Sequence, residues 1–290
     1  VRNWDRVAQP IQVSAKSRGI VHRQSQEVAL KLRSLSVDLN NEHGMLGHTH
    51  RITEFLREIF AELPDMVERL DRDSETIVTM RRQLEQQEKS NAEWASAIAF
   101  RADVGLISKD ELAISPEGIR WKGRTFPLDS ITRVRWGGVR RSVNGIPVGT
   151  NYTIAFGDNR SEQFVQLRKG STYSGFIEAL WPAVCIRLLL EMIRGLVEGR
   201  SFSFNDVTVE DDAVILVRHK FFGSNEKIRL SWHDVLVWNA NGSFCIAHKE
   251  DKKIYGSASY IDTPNTHILE HVIRAAFKIG ARKLSDCVRS

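Results

Sequence analysis

Apolar residues recur at steps of three and four residues through the first third of the chain, which is the spacing of one helix face. The clearest run covers residues 26–44, a second covers 48–66, and a third, highly charged run covers 65–90. Gly44 and Pro64 are typical helix stops. We therefore expect helices through this region. The predicted stripe residues are Val28, Leu32, Leu35, Leu39, Ile52, Phe55, Leu56, Ile59, Phe60, Leu63, Val67, Leu70, Ile77, Met80 and Leu84.

After about residue 105 the apolar period changes to two, which indicates β-strands. Short runs rich in Ile, Val, Phe, Tyr and Trp are bounded by turn signals such as Pro116-Glu117-Gly118. An apolar helix over 173–198 follows, and Pro182 is expected to kink it. Strands then resume and end in a second helix near 265–280. The pattern predicts an α+β protein in which the first apolar helix runs on as a rigid linker.

Two pairs of similar segments indicate that the strand–helix order is an internal duplication. LDSITRVRW at 128–136 resembles LSWHDVLVW at 230–238, at an offset of 102 residues. YTIAFGDN at 152–159 resembles FCIAHKED at 244–251, at an offset of 92 residues. The offsets differ because the first copy is expected to carry an insertion between the two anchors. That insertion includes VRRSVNGIPVGT.

Antiparallel strands closed by one amphipathic helix, made twice, resemble the tandem pleckstrin-homology-like (PH-like) domains of uncharacterised bacterial proteins. In that superfold two packed sheets form a half-open barrel, and the C-terminal helix caps one end. The resemblance implies PH-like domains over 105–199 and 200–290, after a helical segment over 1–104 that resembles one unit of a helical-repeat array. A tryptophan is expected in the capping helix. Trp181 supplies it in the first copy, whereas Ile273 stands at the matching place in the second.

Charge and cysteine content narrow the class of protein. The formal net charge is +5, from 41 Lys+Arg and 36 Asp+Glu, which is far from the dense basic stripe of a nucleic-acid-binding protein. No stretch reaches the roughly 18 apolar residues that a membrane span needs. Three cysteines without CxxC spacing favour neither a disulfide framework nor a zinc site. We expect a cytoplasmic protein, and the first residue, Val1, favours a piece of a longer chain.

The stretch RVRWGGVRR, residues 133–141, is the strongest candidate site. Arg133 and Arg135 alternate with Trp136 and its neighbours as a half-buried strand requires, and Arg140 and Arg141 are expected in the inserted loop beyond the glycine pair. The plainer interpretation is a solvated strand face and loop. The functional interpretation is an anion-binding or acidic-partner contact built from guanidinium groups.

The usual lipid site of the PH superfold is not expected here. Many members bind phosphoinositides through basic residues of the first hairpin loop. In this chain that loop is SPEG at 115–118, and in the second copy it is EDD at 210–212. Both loops carry carboxylates, so an acidic protein surface is the better partner for the arginines.

Metal binding and catalysis have little support in the sequence. His43, His48 and His50 lie within eight residues but span a turn between helices, and no HExxH spacing is present. The chain has no P-loop, GxSxG or GxGxxG motif. Cys185 lies on the apolar helix and Cys245 on a strand, where packed thiols are usual. We predict no enzyme activity, no metal and no cofactor.

The sequence therefore predicts a non-catalytic scaffold that docks a protein or peptide partner within a larger cytosolic assembly. The docking surfaces would be a sheet edge or the groove beside a capping helix. Arg133, Arg135, Arg140 and Arg141 would steer an acidic partner, with Trp136 beside them, and the helical segment would add a contact or mediate self-association. The alternative is a peripheral membrane module that binds anionic lipid head groups through basic loops.

Overall fold

The computed structural model describes residues 2–105, 109–143, 146–218 and 224–288. The predicted α+β class, with helices first and antiparallel sheets after them, is confirmed. The chain divides into two compact units, Val1–Glu93 and Trp94–Ser290.

The first unit consists of helices. They are α1 (Arg2–Ser17), α2 (Arg23–His43), α3 (Leu46–Ile59) and α4 (Pro64–Ile98), of which the last five residues belong to the second unit. Helix α1 is not among the expected helices. Its fully buried residues are Ala8, Gln12 and Ala15, and Trp4 at its start packs against Phe60, whereas Val7 and Ile11 are exposed. Most of the buried face is thus small or polar rather than a regular apolar stripe.

Helix α2 packs through small side chains. Ser36 and Thr49 exchange hydrogen bonds: each hydroxyl donates to the other residue's carbonyl oxygen, at 3.3 and 3.2 Å. The prediction that Leu35 lies on the buried stripe is wrong, because its side chain is 54% exposed. Close approach of α2 and α3 requires small residues, and this places Ser36 rather than its leucine neighbour at the contact.

Of the two predicted helix stops, Gly44 ends a helix as expected, whereas Pro64 begins one. Gly44 adopts φ 62° after α2, and its N–H donates to the carbonyl of Asn40 at 2.9 Å. Helix α3 already ends at Ile59, and Pro64 is the first residue of α4. A proline is favoured there because the first helical position needs no N–H donor.

In its described residues, the first half of the second unit forms seven strands and an interrupted helix. The strands are β1 (Phe100–Val104), β2 (Asp110–Ser115), β3 (Gly118–Trp121), β4 (Arg124–Phe126), β5 (Arg133–Val143), β6 (Ile146–Gly157) and β7 (Glu162–Leu167). Strands β1–β4 form one antiparallel sheet in chain order and β5–β7 form another. The helix is α5 (Gly170–Leu180), a π-helical segment (Trp181–Cys185) and α6 (Ile186–Val197). The predicted irregularity at Pro182 takes the form of this π-helical segment.

The second half repeats the order of four strands, three strands and a helix. Its elements are β8 (Phe202–Phe204), β9 (Val207–Val209), β10 (Ala213–Arg218), β11 (Glu226–Ser231), β12 (Val235–Ala240), β13 (Ser243–His248), β14 (Ile254–Ser259) and α7 (Thr266–Lys278). Here β10 also pairs with β14, so all seven strands belong to one sheet.

One hydrophobic core runs through both halves of the second unit, from Ile98 to Leu284. Helix α6 contributes Leu188, Ile193 and Leu196 to this core. The expectation that this helix is a linker is therefore wrong: its apolar face is too wide to be left in solvent, so it packs as a shared core element.

The strand register corrects one of the two sequence anchors. Ile154 on β6 and Ile246 on β13 correspond, and their cross-strand partners are Trp136 and Val237. The expected match of Trp136 with Trp238 is thus displaced by one residue. A one-residue slip reverses the face of a strand. Accordingly, Trp136 is 6% exposed and Trp238 is 43% exposed.

Candidate functional site

Strand β5 carries the whole RVRWGGVRR stretch and continues through the glycine pair. It pairs with β6 over its length, and Arg140 and Arg141 lie opposite Thr150 and Gly149. The prediction that these two arginines lie in a loop is therefore wrong. The insertion in the first half lengthens both strands of the hairpin, because its valines and threonine support extended backbone.

Arg133 and Arg135 converge on one carboxylate. Arg135 Nη2 lies 2.5 Å from Glu162 Oε2, and Arg133 Nε lies 3.5 Å from Glu162 Oε1. The Arg135 guanidinium also lies over the Phe164 ring, 5.1 Å from its centroid. The side chains of Arg135 and Glu162 are only 16% and 15% exposed. The Arg135–Glu162 ion pair is thus formed within the protein, and the charge of Arg135 is compensated there.

Arg135 also links the two halves of the second unit. Its Nη1 donates to the carbonyl oxygens of Ile261 at 2.9 Å and Asp262 at 3.3 Å, both in the connection between β14 and α7. Gly137 lies in the same contact, where a Cβ atom would be 2.6 Å from Ile261 Cγ1. The first glycine of the pair therefore permits close approach of the second half.

Asn265, which precedes α7, forms hydrogen bonds with the start of the outer edge of β5 and with Thr132 before it. Its N–H donates to the Val134 carbonyl at 2.7 Å, and its Oδ1 accepts from the Val134 N–H at 2.9 Å. Its Nδ2 donates to the Thr132 carbonyl at 2.9 Å. The residue adopts φ 62°, a left-handed conformation that Asn tolerates better than most residues. Asn265 thus acts like a short neighbouring strand.

Trp136 lies within an aromatic stack at this contact. The His267 ring stacks on Trp136 with centroids 4.1 Å apart and on Tyr260 at 4.3 Å. His267 Nε2 lies 2.8 Å from the Trp136 carbonyl oxygen. Burial lowers the pKa of His267, although the nearby carbonyl and Glu270 oppose this shift. We call the contact of residues 132–137 with residues 260–267 the seam, and Trp136 is buried in it.

Beyond the seam the hairpin continues as an exposed arm, which comprises the described residues 139–143 and 146–151; Asn144 and Gly145 of the predicted insertion lie outside the described residues. Strand β7 pairs with β6 only from Tyr152 onward, and β5 is the edge of its sheet. Val139 and Val148 are 55% and 54% exposed. Within the described ranges the arm therefore has two strand edges without a neighbouring strand.

Arg140 and Arg141 are exposed on this arm, and neither forms an ion pair in the part of the chain that the structure describes. As successive residues of a strand, they project from opposite faces. The five predicted site residues are thus not one site. Two are paired in the seam, Trp136 is buried, and two present positive charge on either side of the arm.

The sequence contains a signal for Glu162, which contacts the seam arginines, but none for the seam residues Asn265 and His267. Glu162 begins β7 and lies across β6 from Arg133, so a charge complement was visible once three successive strands were predicted. Asn265 and His267 lie 131 positions after their β5 partners. No local pattern connects residues at that separation.

The structure describes the surroundings of the candidate metal-ligating and nucleophilic side chains. Among the described residues, no three His, Cys, Asp or Glu side chains group closely enough to hold a metal ion. Glu54, beside His50, instead accepts hydrogen bonds from Ser74 and Arg57. Burial raises the pKa of the Cys185 thiol to about 12, so this thiol is protonated at neutral pH.

The acidic hairpin loops are engaged internally. Glu117 accepts a hydrogen bond from Ser115, and this bond lowers the pKa of the Glu117 carboxyl group. Glu210 and Asp212 both bind Arg229, each at 2.7 Å. These loops present no cluster of basic residues for a phosphate group.

Comparison of the chain with models of known protein families, with curated proteins and with solved structures finds no significant match. Among the described residues, no helix combines the length and apolar character that crossing a bilayer requires.

Proposed function

We propose that the chain is a non-catalytic docking module of a cytoplasmic assembly, and that its arm binds an extended, acidic segment of a partner protein. The segment would pair with a free strand edge of the arm, where backbone hydrogen bonds supply affinity and side chains supply selectivity. The arginines would speed the encounter with a negatively charged partner.

The observation that carries this proposal is the arm itself. Proteins normally shorten, twist or cover exposed strand edges, because a free edge pairs with other chains. This hairpin instead extends past its sheet with exposed Val139 and Val148, whereas the corresponding β12–β13 hairpin of the second half, which the structure describes throughout, has no such extension. Arg140 and Arg141 lie on it without ion-pair partners in the described residues, which favours a partner that brings the carboxylates.

We further propose that the two halves are PH-like domains. Each half has four antiparallel strands, then three, then a helix, which is the order of that superfold. On this interpretation the domain boundary lies near residues 199–200. The same resemblance raises the membrane alternative, but Glu117, Glu210 and Asp212 occupy the hairpin loops where a lipid phosphate would bind.

The test is affinity purification with the full chain, followed by mass spectrometry, in three forms: wild type, the charge reversal Arg140→Glu/Arg141→Glu, and a matched control. The control is Lys252→Glu/Lys253→Glu, an adjacent exposed basic pair in the second half that undergoes the same change in charge. A partner should be recovered with the wild type and the control and lost with the arm variant. Its binding should weaken with added salt, because exposed charges are screened.

Two outcomes would overturn the proposal. One is equal recovery of every partner with the arm variant. The other is co-sedimentation of the wild type, but not of the arm variant, with vesicles of phosphatidylcholine and phosphatidylserine in the absence of any protein. The second result would replace the protein partner by a membrane surface.

A further inference from the structure

The two strand edges of the arm differ in their backbones. Arg141 pairs with Gly149 of β6. Ser142 then pairs with Pro147, so Val148 between them has no partner residue on β5. This extra residue is a β-bulge, which bends its strand and disrupts the regular ladder of hydrogen bonds. Pro147 also has no N–H to donate. Bulges and prolines are common means of closing an edge to other chains, so the β6 edge is a poor template for an added strand.

The β5 edge is regular beyond the seam. Both the N–H and the C=O of Val134 point away from β6, because they bond with Asn265. The direction of these groups alternates along a strand, so those of Gly138, Arg140 and Ser142 point outward as well. All three residues are exposed, and no group in the described ranges hydrogen-bonds their outward N–H and C=O. The β5 edge therefore offers an added strand a continuous row of donors and acceptors.

The side chains of β5 define the sequence that would suit this edge. Arg140 and Arg141 project from opposite faces of the strand, so two successive residues of an added strand would lie opposite them, one on each face. Opposite charges at directly opposed positions stabilise a pair of strands, whereas like charges destabilise it. Val139 is 55% exposed, and a β-branched residue opposite it would cover its side chain.

We propose that the partner strand binds the β5 edge rather than the β6 edge, and that it carries two successive acidic residues opposite Arg140 and Arg141, flanked by β-branched residues. The strand continues the line that Asn265 begins. Its pairing ends before Trp136, whose carbonyl oxygen already lies 2.8 Å from His267 Nε2. This inference rests on the function proposed above, since it specifies the edge and the partner sequence for the same arm.

Two peptides of identical composition test the acidic pair: TTVEEVTT and TTVEVETT, both acetylated and amidated at their ends. Only the first can place one carboxylate on each face of the arm, because its glutamates are successive. Each peptide is titrated into the full ¹⁵N-labelled chain and followed by amide chemical shifts. The first should bind about threefold more tightly, because the second loses one cross-strand ion pair. Equal affinities would overturn the acidic pair.

Amide hydrogen exchange of the saturated complex with the first peptide identifies the edge. The amides of Gly138, Arg140 and Ser142 should exchange at least about tenfold more slowly than in the free chain, because their N–H groups donate to the peptide. The N–H of Thr150, which points outward from β6, should exchange at an unchanged rate. Slower exchange at Thr150 instead would overturn this inference and leave the arm as a docking site.

A matched pair of proline variants gives a second measurement. Ser142→Pro removes one outward N–H from β5 and Thr150→Pro removes one from β6, and neither changes the charge. The first variant should weaken binding of TTVEEVTT at least about tenfold, whereas the second should leave it unchanged. Equal weakening, or the reverse order, would overturn the assignment of the edge. If a proline variant does not fold, the exchange rates of the wild type decide.

Failure of this inference is distinguishable from failure of the proposed function. If neither peptide binds, or if binding slows no amide of β5, this inference is wrong. The proposed function is judged separately, by whether the Arg140→Glu/Arg141→Glu variant loses the partner that the wild type recovers.

Discussion

The two halves of the second unit share an order of elements, but their third strands, β3 and β10, differ in length and in pairing. In the first half β3 stops at Trp121, because Lys122 and Gly123 adopt positive φ values of 49° and 70° and turn the chain at once. In the second half β10 continues to Arg218, which pairs with Ile254 of β14. The second half therefore joins its strands into one sheet, whereas the first keeps two sheets.

The β5–β6 hairpin shows the opposite difference. Strands β12 and β13 have six residues each and are joined by Asn241 and Gly242. Strands β5 and β6 have 11 and 12 residues. The first part of β5 is covered by Asn265 and His267 of the other half, and the remainder forms the arm. The comparison teaches that the same order of elements forms one continuous sheet in the second half, whereas in the first half it forms two sheets and a hairpin that the other half partly covers.

The largest difference should appear between the two tryptophans that the sequence aligns. Trp136→Val should lower the free energy of unfolding of the second unit by about 3 kcal/mol, because it removes a buried ring stacked on His267. Trp238→Val should lower it by less than about 0.5 kcal/mol, since Trp238 is half-exposed. Urea denaturation measures both. Equal losses would contradict the inference that the one-residue displacement buries Trp136 and exposes Trp238.

Most of the fold was predictable because burial alternates with the period of each element. The apolar stripe of α3 and the strands of both halves follow this rule. Leu56 in α3 and Ile154 in β6, for example, are buried as predicted. Helix α1 was not predictable from periodicity, since its fully buried residues are small or polar and only Trp4 adds a large apolar side chain to that face. The register of β12 was also hidden, because Val235, Val237 and Trp238 are all apolar and the pattern alone permits either face.

The second-largest difference in stability is expected between two left-handed asparagines, Asn265 in the seam and Asn241 in the β12–β13 turn. Asn265→Ala should lower the free energy of unfolding by about 3 kcal/mol, because the side-chain hydrogen bonds to Val134 and Thr132 are lost and a left-handed residue becomes alanine. Asn241→Ala should cost about 1 kcal/mol, since Asn241 has a similar φ of 50° but lies at an exposed hairpin end. Both values come from denaturation curves. A similar cost for both variants would mean that the seam bonds contribute nothing.

The candidate site was less predictable than the fold. The sequence correctly placed Arg133 and Arg135 on a strand with Trp136, but it could not indicate that another half of the same chain covers them. Asn265 reaches β5 only through tertiary structure. The arm was anticipated as an insertion, and its strand character was hidden by its two short glycine-containing turn signals.

A smaller effect should depend on pH. Burial holds the pKa of His267 below its ordinary value of 6.5, so the unfolded chain binds a proton more readily than the folded one. Stability from this group is complete above about pH 6.5 and is lost as the pH falls toward the lower, folded pKa. His267→Phe keeps an aromatic ring in the stack but does not titrate. Between pH 7.5 and 5.5 the wild type should lose more stability than this variant, and parallel losses would contradict the assignment.

The smallest effect on stability is expected from making the first half like the second. Replacing residues 139–151 by Asn-Gly leaves β5 as 133–138 and β6 as 152–157, the same six-residue strands and turn that join β12 to β13. The arm contributes exposed residues outside the core, so the free energy of unfolding should change by less than about 1 kcal/mol. Denaturation curves and the near-ultraviolet circular dichroism, to which Trp136 of the seam contributes, provide the measurement. A large loss of stability would show that the arm is part of the folded core, and it would remove the argument that the extension exists for a partner.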